Sequence, residues 1–261
     1  MVMAVRGLVF WLLLPFVAIQ ATRLRKTAPR LQPAAGDSSG RMGSGDSIRL
    51  LAIGDSIIAG VGAATLERAL VGCTARSLVE RLGCAVEWQA CGRSGASSKK
   101  ILFDLVPTLA PIAADAIVVS VGVNDVTALS TIRAWRKNLL ALIDALRRHS
   151  PEAVIVIAGM PPLRAFPLIP QPLRQLIGFR GETLDAVTRV VTQEYPGVFH
   201  VEVEFEMSDD SFCADGFHPS EQSYVVFGKA MADCIGPRLR IANKPRDQEA
   251  ADGQDSMPIR R

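Results

Sequence analysis

Between residues 46 and 240 the apolar positions change period in a regular way. Short runs with few polar residues, such as Ile48-Arg49-Leu50-Leu51-Ala52-Ile53, Ala116–Val121 and Ala153–Ala158, alternate with longer stretches whose large apolar residues recur every three or four positions. The first pattern predicts strands and the second amphipathic helices. Strands are expected at 48–54, 84–90, 116–121, 153–158 and about 198–203. Helices are expected at about 66–82, with Leu66, Leu70, Cys73, Leu78 and Leu82 on one face, and at 97–109, with Ile101, Leu105 and Leu109. A longer one over about 128–149 turns Leu129, Ile132, Leu139, Ile143 and Leu146 inward, and two more cover about 173–195 and 221–239. Strand followed by helix, five times over, specifies the α/β class: a five-stranded parallel sheet between two helical layers, a three-layer α/β/α sandwich. The third and fourth strands are apolar at nearly every position, which fits burial on both faces.

The flanks read differently. Residues 1–22 are apolar apart from Arg6 and form a hydrophobic membrane anchor or signal segment. The run is short for a spanning helix, which needs roughly 20 apolar residues. No A-x-A cleavage site follows it, which favours a retained anchor. Arg23, Arg25, Lys26 and Arg30 follow the run, and by the positive-inside rule they keep the main domain cytoplasmic. Export follows instead if the segment is a signal peptide, and an apolar helix packed on the domain is a third reading. Residues 23–45, rich in Pro, Gly, Ser and Ala, read as a linker. Residues 46–240 are one domain, and 241–261, polar and charged, a disordered tail.

Composition narrows the chemistry. At 261 residues and 49% hydrophobic the chain can bury one sizeable core. A net charge of +3, with no basic stripe interleaved with aromatics, gives a nucleic-acid partner little support. The five cysteines (Cys73, Cys84, Cys91, Cys213, Cys234) form no CxxC pair and no zinc-ligand spacing; they read as small buried hydrophobes, with a Cys84–Cys91 disulfide open if the domain is exported. Any histidine chemistry must use His149, His200 or His218.

The strand ends carry the candidate chemistry. Open α/β sheets bind ligands beyond the carboxyl ends of their strands. Gly54-Asp55-Ser56 follows the first strand, Gly92-Arg93-Ser94-Gly95 the second, Gly122-Val123-Asn124-Asp125 the third, and Asp215-Gly216-Phe217-His218 lies past the fifth. A serine is a weak nucleophile until a base and an anion-stabilising site surround it. His218 would take the Ser56 hydroxyl proton and return it to a leaving group, with Asp215, three residues earlier, fixing its tautomer. The Asn124 amide and the backbone N–H groups of Gly95 and Ser56 would form an oxyanion hole. Asp55 and Asp125 read as structural. His149 ends a helix and caps it, His200 sits in a strand as a satisfied core or face residue, and Glu202, Glu204 and Glu206 line one solvated face. Ser94 is a rival serine, but its surroundings, Gly92-Arg93-Ser94-Gly95-Ala96, do not form a G-x-S-x-G elbow. The loop 160–172 carries five prolines; its Phe166, Leu168 and Ile169 line an acyl pocket or pack over the sheet edge.

These four blocks resemble those of the SGNH hydrolase superfamily, the GDSL-type esterases and lipases. Gly54-Asp55-Ser56 matches the first block, with Ile57 where the eponymous leucine stands; Gly95, Asn124 in GxND, and Asp215 with His218 in DxxH match the others. The resemblance spans 46–240. It implies a flavodoxin-like fold, hydrolysis of carboxylic esters without metal or cofactor, and small-molecule substrates ranging from acyl lipids and lysophospholipids to thioesters and acetylated sugars. The expectation is a serine hydrolase that works through an acyl-enzyme on Ser56. The same site would serve an acyltransferase if an alcohol replaced water, and a catalytically silent ligand-binding module would keep the fold without turnover.

Overall fold

The computed structural model describes residues 17–24, 31–202 and 208–242. Its elements are β1 (Ser39–Met42), β2 (Ser47–Gly54), α1 (Leu70–Leu82), β3 (Ala85–Gly92), α2 (Ser98–Lys100), β4 (Ala116–Ser120), α3 (Val123–Thr127), α4 (Ile132–His149), β5 (Val154–Ala158), α5 (Leu173–Gln193), β6 (Val198–Val201) and α6 (Glu221–Ala242). The sheet order is β1-β3-β2-β4-β5-β6. Five strands pair in parallel, as expected, and in chain order those five lie 2-1-3-4-5. The order reverses between β2 and β4, so the crevice beyond their ends is the topological switch point where such sheets bind ligands.

Side-chain alternation along the strands feeds two separate cores. Leu51 and Ile53 of β2, Ile117 and Val119 of β4, and Ile155 and Ile157 of β5 face one layer, packing with Trp135, Leu139, Leu142, Ile143 and Leu146 of α4 and with α5. Leu50, Ala52, Val118 and Val156 face the other, against Leu70, Cys73 and Leu78 of α1 and Tyr224, Phe227 and Met231 of α6. A period of two with both faces buried leaves no solvent-facing register for polar side chains, which explains the near-continuous apolar runs of β4 and β5.

Three sequence expectations change. The sheet has six strands, because Ser39–Met42, inside the stretch read as linker, pairs antiparallel with β3. Its glycine is not there for flexibility: a Cβ on Gly40 would lie 2.6 Å from the Trp88 ring, so the bare backbone lets β1 lie on a buried tryptophan. Helix α4 starts at Ile132, and Leu129 and Ile132 are exposed rather than inward; Trp135 and Leu142 fill the core instead. Leu66 is buried ahead of α1, in the turns that lead to it.

Of the hydrophobic segment 1–22, residues 1–16 lie outside the described residues. Residues 17–24 are helical, and Val17, Ala21 and Leu24 pack against the α4–α5 side of the core. Gln20 Nε2 donates to the Gln171 carbonyl at 2.8 Å. No helix among the described residues is long and apolar enough to cross a membrane. Residues 203–207, with Glu204 and Glu206, and residues 243–261, most of the expected tail, also lie outside the described residues. All five cysteines are free, so the Cys84–Cys91 disulfide is not formed.

Candidate active site

The turn after β2 is built by its own aspartate. Asp55 Oδ1 accepts the Ile57 N–H at 3.1 Å, and backbone bonds from Ala59 N to Asp55 O and from Val61 N to Ser56 O close the loop. Ser56 therefore sits on a turn, not at a helix N-cap. Gly54 makes this possible by its lack of a side chain: a Cβ there would be 2.2 Å from the Ser120 carbonyl of the neighbouring β4. Ser120 Oγ reaches across to Asp55 Oδ1 at 3.1 Å, locking the turn to β4.

His218 lies on a turn between β6 and α6, shaped by Asp215. One carboxylate oxygen, Oδ1, accepts the backbone N–H groups of Phe217 and His218, both at 2.9 Å, and the Cys213 thiol at 3.1 Å. The other, Oδ2, is 2.6 Å from His218 Nδ1. An ionised carboxylate only accepts, so Nδ1 carries the proton, which in the neutral ring leaves Nε2 bare. That bare nitrogen is 3.0 Å from Ser56 Oγ. The structure thus brings Ser56, His218 and Asp215 into one hydrogen-bonded chain, across 162 residues of separation between the serine and the histidine.

The two aspartates beside this chain are tuned in opposite directions. Asp55, 3% exposed, is raised to about 6: burial lifts it, and the bonds from Ile57 and Ser120 offset only part of that. Asp215 is 4% exposed, and burial acts upward there too, but the bonds from the His218 ring and backbone, Cys213 and Phe217 outweigh it and hold the carboxyl at about 2. Burial pushes the Cys213 thiol up to about 11, so it remains an S–H donor toward Asp215.

The amide and the glycine expected near Ser56 lie at the same crevice. Gly95 has φ 76°, a left-handed backbone that favours glycine, and the space where its Cβ would be is open. Asn124, on α3, donates one N–H to the Ala96 carbonyl at 3.0 Å; a primary amide has two, so this bond fixes the group while leaving one donor. Asp125, also buried, ties the two loops together: it accepts Ser98 N–H at 2.8 Å and Ser98 Oγ at 2.7 Å. Ser130 and Asn138 complete this network from the flanks of α4.

Ser56, His218, Gly95 and Asn124 open on a cavity of about 880 Å³. Its walls are mostly apolar. Phe217 meets the His218 ring edge-on at 5.2 Å, Phe166 meets Phe217 at 5.2 Å, and Phe212 meets Phe166 at 5.1 Å, an aromatic series that starts at the His218 ring. Of the three loop residues considered for this wall, Phe166 lines it, while Ile169 is buried in the core and Leu168 lies against Gly216. Ser94 is exposed at the rim. The other histidines are elsewhere: His149 Nε2 is 2.8 Å from the Ala110 carbonyl at the end of α4, and His200 Nε2 is 2.8 Å from Asp185, which also takes the Met160 N–H and pairs with Arg189. Sequence reasoning missed Ser120, Cys213 and Phe212, because a serine inside a strand or a cysteine in a loop carries no local mark of what it will face.

The chain is similar to known proteins over the same stretch. A family model described as GDSL-like lipase/acylhydrolase matches residues 52–226. A GDSL-like esterase of Mycobacterium tuberculosis is 30% identical over 206 residues, 74% of this chain; the chain spans 65% of that protein's length. Among solved structures, a family 3 carbohydrate esterase from Clostridium thermocellum aligns with a TM-score of 0.61 at 18% identity, covering 76% of this chain and 99% of the other. A lipase from a goat rumen metagenome aligns with a TM-score of 0.57 at 19% identity, covering 74% and 99%. At these identities the two structures speak to the fold.

Proposed function

The chain belongs to the GDSL-like lipase/acylhydrolase family, and from that premise we propose that it is a serine hydrolase of carboxylic esters, working through an acyl-enzyme on Ser56. The observation that carries this is the hydrogen-bonded chain from Asp215 Oδ2 through His218 to Ser56 Oγ, at 2.6 and 3.0 Å. In the first half-reaction Ser56 Oγ attacks the ester carbonyl carbon as its proton passes to His218 Nε2. The negative carbonyl oxygen is met by the Asn124 side-chain N–H and the backbone N–H groups of Gly95 and Ser56. Each such donor is worth about 3 kcal/mol of transition-state stabilisation. The C–O bond then breaks, and His218 gives its proton to the departing alkoxide. In the second half-reaction His218 takes a proton from water, the hydroxide oxygen attacks the acyl carbon, and the free acid leaves as Ser56 recovers its proton. Asp215 stays ionised throughout, held at about 2, and stabilises the imidazolium that forms twice per cycle.

The test uses the full chain, a fluorophosphonate probe and p-nitrophenyl esters. The expected result is one phosphonyl adduct, mapped by mass spectrometry to Ser56, with both the adduct and turnover absent in Ser56→Ala. Loss of His218 in His218→Ala should lower kcat by about 10³-fold or more. A folded protein with neither adduct nor turnover would sink the esterase reading in favour of a binding module. An adduct on Ser94 would keep the site and replace the nucleophile.

A further inference from the structure

The family match begins at residue 52, yet the catalytic cavity does not stop there. Leu31, Gln32 and Pro33, well upstream, form part of its wall together with Ser56, His218 and Phe166. They are not loosely laid over the mouth. The next two residues are tied into the loop that follows Ser56: Ala34 N–H donates to the Ala59 carbonyl and Ala35 N–H to the Ala64 carbonyl, both at 3.0 Å. Ala35 and Thr65 form a parallel bridge. A Cβ on Gly60 would stand 2.6 Å from the Ala34 methyl, so the loop has a glycine where the strap crosses it. The loop is held in turn by Glu221 of α6, whose Oε1 accepts the Ala64 N–H at 2.9 Å.

We infer that Leu31, Gln32 and Pro33 form a specificity-determining wall, and that the ester this site takes carries an extended alkyl chain lying against that wall. The inference rests on the esterase reading above and goes beyond it by assigning substrate class to residues outside the family match. Its physical basis is the character of the surface. Past the polar group of Ser56, His218, Asn124 and Gly95, the cavity continues as apolar wall and aromatic ring, with Leu31 and Pro33 closing one side. A site for a short, hydroxylated ester would waste such a surface, since sugar hydroxyls brought against it would lose their water partners without replacement. Each methylene buried there should raise kcat/KM about fourfold.

The experiment measures kcat/KM on the full chain for two matched pairs: p-nitrophenyl acetate and decanoate, where the chain is on the acyl side, and ethyl and decyl acetate, where it is on the alcohol side. Wild type is compared with Leu31→Asp and Pro33→Asp, with melting temperatures recorded for each. The expected result is a long-to-short ratio well above one in one of the pairs, cut at least tenfold by the aspartate in that pair. The pair that responds tells which side of the ester the strap holds. A ratio near or below one in both pairs for wild type, or ratios that the folded variants leave unchanged, would overturn the inference while leaving the esterase reading intact. Turnover of none of the four esters by wild type would be a failure of the esterase reading itself. Leu31 is half-buried and Pro33 exposed, so if the Leu31 variant melts early the Pro33 variant still reads the ratio.

Discussion

Asp55 and Asp215 are both buried beside the Ser56–His218 pair, and the difference between them lies in how many donors each carboxylate meets. Asp215 collects four hydrogen bonds from the turn it organises and is held at about 2, below its unfolded value of 3.8. The folded state therefore favours its ionised form. Its contribution is complete above about pH 4 and is lost as pH falls through the interval from 3.8 to about 2, an effect on the order of 2 kcal/mol. Asp55 runs the other way. Raised to about 6 by burial, it favours its protonated form when folded, so stability falls as pH climbs from 3.8 to about 6 and then levels off, on the order of 3 kcal/mol lower. Asp55→Asn keeps an acceptor for Ile57 and Ser120 and removes the buried charge. The variant should be more stable than wild type at pH 7 and the two should converge near pH 4, as followed by urea denaturation at each pH. Parallel curves across that range would mean that Asp55 carries no burial penalty.

At the scale of elements, the site depends on how closely loops approach one another. Gly54 ends β2 where the Ser120 carbonyl of β4 leaves no room for a methyl group, and the neighbour is backbone rather than a flexible side chain. Gly54→Ala should destabilise the fold by about 3 kcal/mol or more, read from the urea midpoint. The Asp125 link between α2 and α3 is a different device. It fixes the segment after Gly95 relative to the segment that bears Asn124, so it sets the spacing of the two proposed oxyanion donors without touching substrate. Asp125→Ala should lower kcat by about tenfold to hundredfold, the usual cost of displacing catalytic groups by a fraction of an ångström to an ångström. Ser56 should still react with the fluorophosphonate, only more slowly; an unchanged kcat in the folded variant would mean that the two loops hold their places unaided.

At the scale of the whole molecule, the segment ahead of the family match is part of the fold. Strand β1 covers the free edge of β3 and lies on Trp88, which is 2% exposed; the strap at 31–35 crosses the loop after Ser56; and residues 17–24 pack on the α4–α5 side of the core, with Gln20 bonded to Gln171. A chain cut to begin at residue 46 keeps every catalytic candidate but uncovers the sheet edge and one cavity wall. Exposed edges pair with other chains. The truncated protein should therefore show red-shifted tryptophan fluorescence, a lower urea midpoint and concentration-dependent association by light scattering, beside a full chain that shows none of these.

Much of this was legible in the linear chain because it depends on local rules. The apolar runs at 48–54, 116–121 and 153–158 read as buried strands, the last two apolar enough for burial on both faces, and four polar blocks at successive strand ends are a pattern that needs no coordinates to be noticed. The roles proposed for Ser56, His218 and Asp215 follow from residue chemistry once those ends are taken to meet. What the chain could not reveal is everything set by distant partners. Ser39–Met42 has the composition of a linker and becomes a strand only because the β3 edge and the Trp88 ring are there to receive it. Leu129 and Ile132 fit a helical stripe, yet α4 begins beyond one and at the other, so both stay in water. Leu31 reaches the active site through two backbone hydrogen bonds made by its neighbours. A residue's own pattern determines which element it belongs to; which residues it meets, 60 or 160 positions away, is decided only when the layers close around a shared core.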